Sequence, residues 1–163
     1  MRALRATFVV LVAAVAFASV AAAGTHAAKQ RVAISAKPDD SGPGVFVLTP
    51  LGSGALKQDS GKVRVAISSG RTVTRQGQEV SIYNITFTYT GKRGSLTIRE
   101  RSEWVDVSNE NAPGYDYRPA VAIGTWKVVR GSGQYAGIAG GGRSAHAGMG
   151  QQWFARQEGF ITR

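Results

Sequence analysis

One carboxylate lies where acid–base chemistry could be built. Glu100 alternates with Leu96, Ile98 and Trp104 along one side of a predicted strand, so that side reads as apolar. If this side faces an interior, Glu100 is a buried carboxylate, the kind of group that serves as a general acid or base. Alternatively, a β-bulge reverses the alternation and leaves Glu100 in solvent or paired with an arginine such as Arg156. Glu100 is therefore the one catalytic candidate.

Aromatic side chains could line a ligand site or simply fill a core. Large rings bury much apolar surface, and binding cavities are lined mainly by such residues. The candidates for ligand binding share inward-facing or strand-centred positions and are Tyr83, Phe87, Trp104, Trp126 and Phe154.

The residue types argue against thiol, metal and catalytic-triad chemistry. Cysteine is absent, which excludes thiol nucleophiles, disulfides and Cys-ligated metals. The imidazoles are His26 and His146, and His146 has no ligand or nucleophile beside it in the sequence. We therefore predict no metal, no cofactor and no catalytic triad.

The glycine-rich stretch 131–142 does not match a phosphate-binding loop. Its glycine spacing departs from G-x-G-x-x-G by one residue, no helix is predicted after it, and Gly-Lys-Ser/Thr is absent. Glycines here suit tight turns instead, since they adopt positive φ without steric cost. We expect a hairpin with positive φ at Gly131 or Gly133.

The N-terminal segment has the features of an export signal. Arg2 and Arg5 precede an uncharged run of 13 residues, 8–20, and Ala21 and Ala23 have the spacing that signal peptidase reads. We predict a signal peptide at 1–23, a flexible leader at 24–30 and a folded domain at 31–163. The mature chain is then secreted, or extracytoplasmic, with no membrane anchor.

The elements that must position these residues are predicted to be strands. Apolar and polar residues alternate around Val32/Ile34, Val45/Val47 and Val63/Val65/Ile67. Further strands are predicted at 79–90, 95–107, 119–130 and 152–162, with loops at 38–44, 50–54 and 109–117 and turns at 68–70 and 91–94. No segment keeps a helical period. We predict an all-β, antiparallel, eight-stranded closed β-barrel whose last strand pairs with its first, the alternative being a β-sandwich.

The net charge is strongly positive. It is +10 for the whole chain and +8 once Arg2 and Arg5 are removed with the signal peptide. The cations are scattered along the sequence rather than clustered, which favours a solvated outer surface that keeps the protein soluble. Nucleic acid is not favoured as a partner.

Two segments resemble a known family. At 124–142, a Gly-Thr-Trp strand leads into Gly-Ser-Gly-Gln-Tyr-Ala-Gly and then Gly-Gly-Gly, and 91–99 reads Gly-Lys-Arg-Gly-Ser-Leu-Thr-Ile-Arg. Together they resemble secreted bacterial proteins with an allene-oxide-cyclase-like, or dirigent-like, barrel, over about a third of the mature chain. The resemblance implies an eight-stranded barrel with an apolar interior for a small hydrophobic ligand, often in homo-oligomers. It implies no catalytic residue.

Three classes of function follow from these observations. The first is a secreted, non-enzymatic barrel that binds a small apolar ligand or acts as an interaction module. The second is a cyclase or isomerase in which an apolar cavity folds the substrate and Glu100, with Tyr83, supplies a polar contact. The third is a binder of anionic polymer, based on the net charge alone.

Overall fold

The computed structural model describes residues 29–39, 41–107, 119–149 and 152–163. The predicted signal peptide, most of the predicted leader and the predicted loop at 109–117 lie outside these ranges. Within them the chain is built from strands and one short 3-10 helix, so the all-β prediction is confirmed. None of the described residues forms a helix long and apolar enough to cross a membrane.

The eight strands follow one another along the chain. They are β1 (Lys29–Asp39), β2 (Gly42–Pro50), β3 (Asp59–Arg75), β4 (Gln78–Gly91), β5 (Gly94–Asp106), β6 (Pro119–Gly131), β7 (Ala139–Met149) and β8 (Gln152–Thr162), with the 3-10 helix Gly133–Tyr135 between β6 and β7. β1 begins at Lys29, inside the predicted leader.

Each strand pairs antiparallel with the next, and β8 pairs with β1. The predicted pairing of the last strand with the first is confirmed, with Ala33 opposite Glu158 and Ala36 opposite Ala155. The result is a single ring-like, barrel-like sheet rather than the two sheets of a sandwich. Every strand has a neighbour on both sides, which leaves little free edge for aggregation, although β3 pairs with β2 only over 59–63 and its residues 64–75 pair with β4 alone.

The interior is apolar in the half that contains the start of β1 and the end of β8, where Lys29 is opposite Thr162. Apolar side chains from seven of the eight strands, all except β7, and from the two connections at that end meet there. The most buried apolar ones are Val32, Ile34, Leu48, Val63, Phe87, Leu96, Ile98, Tyr135 and Ile161. Their removal from water supplies the main stabilising free energy of the fold, about 25 cal/mol for each Å² of apolar surface buried.

One end of the closed sheet is sealed by the β2–β3 connection and the 3-10 helix. Leu56 and Tyr135 are buried there. The Asp59 carboxylate accepts hydrogen bonds from the Tyr135 hydroxyl (3.0 Å) and from the backbone N–H groups of Lys92 (3.1 Å) and Arg93 (3.3 Å). This carboxylate therefore ties together the start of β3, the β4–β5 turn and the 3-10 helix.

Two predicted boundaries differ from the structure. The loop predicted at 38–44 is a tight turn between Asp39 and Gly42, in which Asp39 Oδ1 accepts hydrogen bonds from the backbone N–H (2.8 Å) and hydroxyl (2.6 Å) of Ser41. The turn predicted at 68–70 is wrong. β3 continues to Arg75 with a register shift after Ile67, so the Ser-Ser-Gly signal marks a bulge.

The alternation predicted for β2 has the opposite phase in the structure. Val45 and Val47 are exposed on the outer face, and Phe46 and Leu48 are buried. Because 45–48 is a continuous apolar run, period 2 alone could not choose between its two faces. The larger side chains bury more apolar area when they point inward, and this decides the phase.

The glycine prediction at the β6–β7 connection is confirmed at Gly133, which has φ +61°. A Cβ there would also collide with the carbonyl oxygen of Arg93. Gly131 has ordinary φ, but a Cβ on it would collide with the Tyr135 carbonyl oxygen. Gly137, with φ +71°, has open space where a Cβ would be.

The surroundings of Gly133, Gly137 and Gly42 predict graded losses of stability when each is replaced by alanine. Gly42 has neither positive φ nor a close neighbour. Gly137→Ala should cost about 1 to 2 kcal/mol, the cost of a left-handed backbone at a non-glycine residue. Gly133→Ala should cost more, because strain and collision add, and Gly42→Ala, with neither, should change stability by less than about 0.5 kcal/mol. Urea unfolding of the three variants measures the order. Equal stability of Gly133→Ala and Gly42→Ala would contradict the turn geometry.

Candidate functional site

A cavity of about 810 Å³ lies at the end of the closed sheet opposite the sealed one. Its wall is largely aromatic and aliphatic, with Tyr83, Trp104 and Trp153 beside Val65 and Ile85. Asp39 and Arg64 also border the cavity, although Arg64 is an exposed residue that alternates with the inward-facing Val63 and Val65. The cavity is thus a largely apolar site with charged residues at its border.

The alternation of side chains between the two faces of a strand explains why these side chains meet. Val65 on β3, Tyr83 and Ile85 on β4 and Trp104 on β5 each lie on the inward-facing side of their strand. Trp153 reaches the same level from β8, where it is opposite Gly148 of β7. Gly70 is needed nearby, because a Cβ there would lie 2.6 Å from the Tyr83 ring.

His146 lies directly behind the two indoles. Its ring centroid is 5.3 Å from that of Trp104, at 30° between the planes, and 5.8 Å from that of Trp153. Phe87 stacks at 6.1 Å, nearly parallel to the imidazole. The imidazole is therefore enclosed by aromatic rings, two of which belong to the cavity wall.

Glu100 and His146 form a buried pair. Glu100 Oε1 is hydrogen-bonded to His146 Nε2, and both side chains are 0% exposed. The other carboxylate oxygen lies 3.4 Å from the amide nitrogen of Gln157, whose Oε1 accepts a hydrogen bond from the Tyr89 hydroxyl at 3.0 Å. We call Glu100, His146, Gln157 and Tyr89 the buried polar network.

A glycine makes room for this pair. Gly124 on β6 lies beside it, and a Cβ at that position would be 2.6 Å from Ser144 Oγ and 3.0 Å from Glu100 Oε1. The interior is therefore narrow at this level, and a side chain on β6 would displace the carboxylate. Gly124 opens the predicted Gly-Thr-Trp segment, so part of that sequence signal has a packing cause.

Two buried polar atoms close to the pair have no hydrogen-bond partner among the described residues. They are His146 Nδ1 and Ser144 Oγ. Buried polar atoms in folded proteins are nearly always hydrogen-bonded, so each such atom calls for an explanation. Here both belong to inward-facing residues of β7, next to the network.

Glu100 depends on its partners for its burial. In the described part of the chain, His146 is the one basic side chain within salt-bridge distance of Glu100. A buried carboxylate is strongly unfavourable unless it is paired and hydrogen-bonded. The contacts with His146 and Gln157 therefore make this position of Glu100 possible.

Burial also affects the tyrosine of the network. Desolvation raises the pKa of Tyr89 well above its ordinary value near 10, and the nearby Glu100 carboxylate raises it further. The hydrogen bond with Gln157 acts in the opposite direction but is the smaller effect. Tyr89 is consequently a neutral hydrogen-bond donor at physiological pH.

The structure separates the five predicted aromatic candidates. Tyr83 and Trp104 line the cavity, and Phe87 lies below it in the core. Trp126 is buried deeper, with its Nε1 donating to the Arg143 carbonyl oxygen at 3.1 Å. Phe154 lies on the outer face, 55% exposed, with the Lys37 ammonium 5.6 Å from its ring centroid.

Glu100 faces the interior, as the alternation of β5 predicts. A register shift does occur after Thr97 in the pairing with β6, yet it leaves Glu100 on the inner face. Its partner is His146 rather than Arg156, which lies outside and donates to Glu158 at 2.9 Å. Sequence reasoning missed His146, Gln157 and Trp153, because nothing in the local sequence shows which strands lie across the interior.

No group of three or more His, Asp or Glu side chains in the described ranges is arranged to hold a metal ion. The fold and site together define a ring-like all-β protein with an aromatic cavity above a buried Glu–His pair. Comparison of the chain with protein-family models, with curated proteins and with solved structures returns no match.

The raised pKa of Tyr89 predicts a loss of stability in alkali. Above about pH 10 the unfolded chain loses the Tyr89 proton and the folded chain keeps it, so the unfolding free energy falls with rising pH. Tyr89→Phe should reduce this slope by about 1.4 kcal/mol per pH unit, although it costs about 1 kcal/mol at neutral pH through the lost hydrogen bond. Urea unfolding of wild type and Tyr89→Phe between pH 8 and about pH 11 measures the unfolding free energy and its slope with pH. The same slope in both proteins would contradict the prediction.

Proposed function

We propose that this protein binds a small, largely apolar ligand in the cavity at the end of the closed sheet. The observation that carries the proposal is the wall of Tyr83, Trp104 and Trp153 around a volume of about 810 Å³. Sites for small molecules usually have about 300 to 1,000 Å³ and a mostly apolar lining with few polar groups. The cavity has both properties.

The wall indicates the chemistry of the ligand. Indole and phenol rings give large contact areas to flat or branched apolar groups, with little loss of side-chain entropy on binding. The charged residues Asp39 and Arg64 lie at the border of this wall. A ligand with an apolar body and one polar end fits this arrangement best.

The resemblance of 124–142 to secreted allene-oxide-cyclase-like barrels supports the same proposal, because it implies an apolar interior that holds a hydrophobic ligand. Closure of the sheet as a β-barrel and export by the 1–23 signal peptide belong to this proposal. In that setting the protein acts outside the cytoplasm as a binding protein.

Filling the cavity should abolish binding. Val65→Trp places an indole on the inward side of β3, whereas Ala66→Trp places the same side chain on the exposed outer face of that strand. With N-phenylnaphthylamine, a neutral apolar fluorophore, as the probe, Val65→Trp should weaken binding at least tenfold and Ala66→Trp should leave it unchanged. The measurement is a fluorescence titration of folded protein. Equal affinity of wild type and Val65→Trp would overturn the proposal.

A second candidate function, proton transfer in an isomerase or cyclase, is favoured by the buried Glu–His pair. A carboxylate on one imidazole nitrogen fixes the tautomer and orientation of the ring, so that the other nitrogen can take up or deliver a proton. Here Glu100 would orient the ring and His146 Nδ1 would exchange the proton. Since the His146 side chain is fully buried and packs against Trp104 and Trp153, a substrate in the cavity reaches it only after part of the wall moves. Binding alone needs no such movement and remains the better-supported function.

A general proton-abstraction reaction tests this candidate. In nitrobenzisoxazole a base removes the ring C–H proton, the N–O bond breaks, and its electron pair leaves on the phenolate oxygen. If His146 is the base, His146→Gln and Glu100→Gln should each slow the elimination at least tenfold, whereas Lys62→Gln on the outer face should not. Near-ultraviolet circular dichroism checks that each variant is folded. A folded His146→Gln protein with wild-type rate would exclude the imidazole as the base.

A further inference from the structure

Cations that are separate in the sequence lie together on the outer face of β5, β6 and β7. Arg99 is directly opposite Lys127, and Arg101 is opposite Thr125, which in turn is opposite Arg143. We call Arg99, Arg101, Lys127 and Arg143 the basic strip. The fold therefore clusters charges that the sequence shows as scattered.

The strip is only partly neutralised within the protein. In the described ranges, neither Arg99 nor Lys127 has a carboxylate within salt-bridge distance. Arg101 contacts Glu103 at 3.1 Å, but this carboxylate is shared with Arg75 at 2.6 Å, which is the main reason for the lowered pKa of Glu103. Cations directly opposite each other on paired strands repel, so this arrangement costs stability unless an anion lies between them.

The space between these side chains has the chemistry of an anion site. A groove of about 280 Å³ is bordered by Arg99, Arg101 and Lys127 and by the polar residues Asn84 and Thr125. Glu100 and Trp126 also border it, but their side chains are buried in the interior. The three cationic groups offer hydrogen-bond donors and no acceptors. Guanidinium groups also match the geometry of phosphate through paired N–H donors.

We propose that the basic strip binds a linear, phosphate-bearing polymer that carries no nucleobases. A row of cations across three strands fits a chain of charges better than a single small anion. Recognition of single-stranded nucleic acid adds aromatic platforms on which bases stack. Among the described residues, the exposed ring of Phe160 lies on β8, diagonal to Arg143, and the Lys29 ammonium lies over it at 4.3 Å. That ring is already in contact with a cation, so the described part of the strip offers charge rather than a free stacking surface.

This inference is independent of the proposed ligand. The strip occupies outward-facing positions of β5, β6 and β7, whereas the aromatic wall of the cavity is formed by inward-facing side chains, and the two sets share no residue. Filling the cavity with Val65→Trp should consequently leave polymer binding unchanged. Loss of one activity can thus be measured without loss of the other.

The test uses long-chain inorganic polyphosphate as the probe and two double variants that remove the same charge. Arg99→Ser/Lys127→Ser removes the centre of the strip, and Lys57→Ser/Lys62→Ser removes two exposed lysines elsewhere. Calorimetric titration at about 50 and 200 mM salt should show steeply salt-dependent binding by the wild type, because counterions are released. The strip variant should bind at least tenfold more weakly with a shallower salt slope, and the lysine variant should resemble the wild type.

Three outcomes would overturn the inference. Equal weakening by both double variants would mean that net charge alone is responsible. Wild-type binding that does not respond to salt would exclude an electrostatic site. A thymidine oligonucleotide of equal charge that binds more tightly than polyphosphate, and loses this affinity in Arg99→Ser/Lys127→Ser, would assign the strip to nucleic acid.

Discussion

The pairing of β1 with β8 is the contact on which the rest of the structure depends. Once these strands close the sheet, alternate side chains on every strand must point either into the enclosed interior or out to solvent. On β5 this places Glu100 inside, and Arg99 and Arg101 outside. A slip of one residue would exchange these sets and bury two guanidinium groups. The cavity, the buried polar network and the basic strip are thus consequences of one register.

The interior is divided along its length by chemistry. Apolar side chains fill the half near the sealed end, the buried polar network follows, and the aromatic cavity lies beyond it. A polar layer in a narrow interior is stable only if its members bond to each other, because no water surrounds them. Gly124 provides the space and His146 the partner for Glu100.

Much of this could be predicted from the sequence, and the rest depends on relations between distant strands. The alternation of 95–107 offered an inward-facing Glu100 as one of two interpretations, the other being a β-bulge that reverses the phase, and Gly91 and Gly94 marked a turn. Both are local patterns. The partner of Glu100 could not be predicted from strand pairing alone. Glu100 is opposite Trp126 on β6, and Trp126 is opposite Gly142 on β7, but the Glu100 carboxylate bonds to His146, four residues further along β7. Clustering of Arg99 with Lys127 likewise appears only after β5 and β6 are aligned. In 45–48, an unbroken apolar run gave no local means of telling inside from outside.

The same sheet order has a consequence for the time course of folding. Seven of its eight strand pairs join neighbours in sequence, and each can form as a hairpin or short-range pair. The eighth joins residues more than 110 positions apart, so it carries the largest loop-closure entropy and must wait until β8 has been synthesised. Proteins dominated by such non-local pairings fold in milliseconds to seconds. Until that moment β1 and β8 are both free edges, so the nascent chain is open to intermolecular pairing at the two strands that the finished sheet conceals.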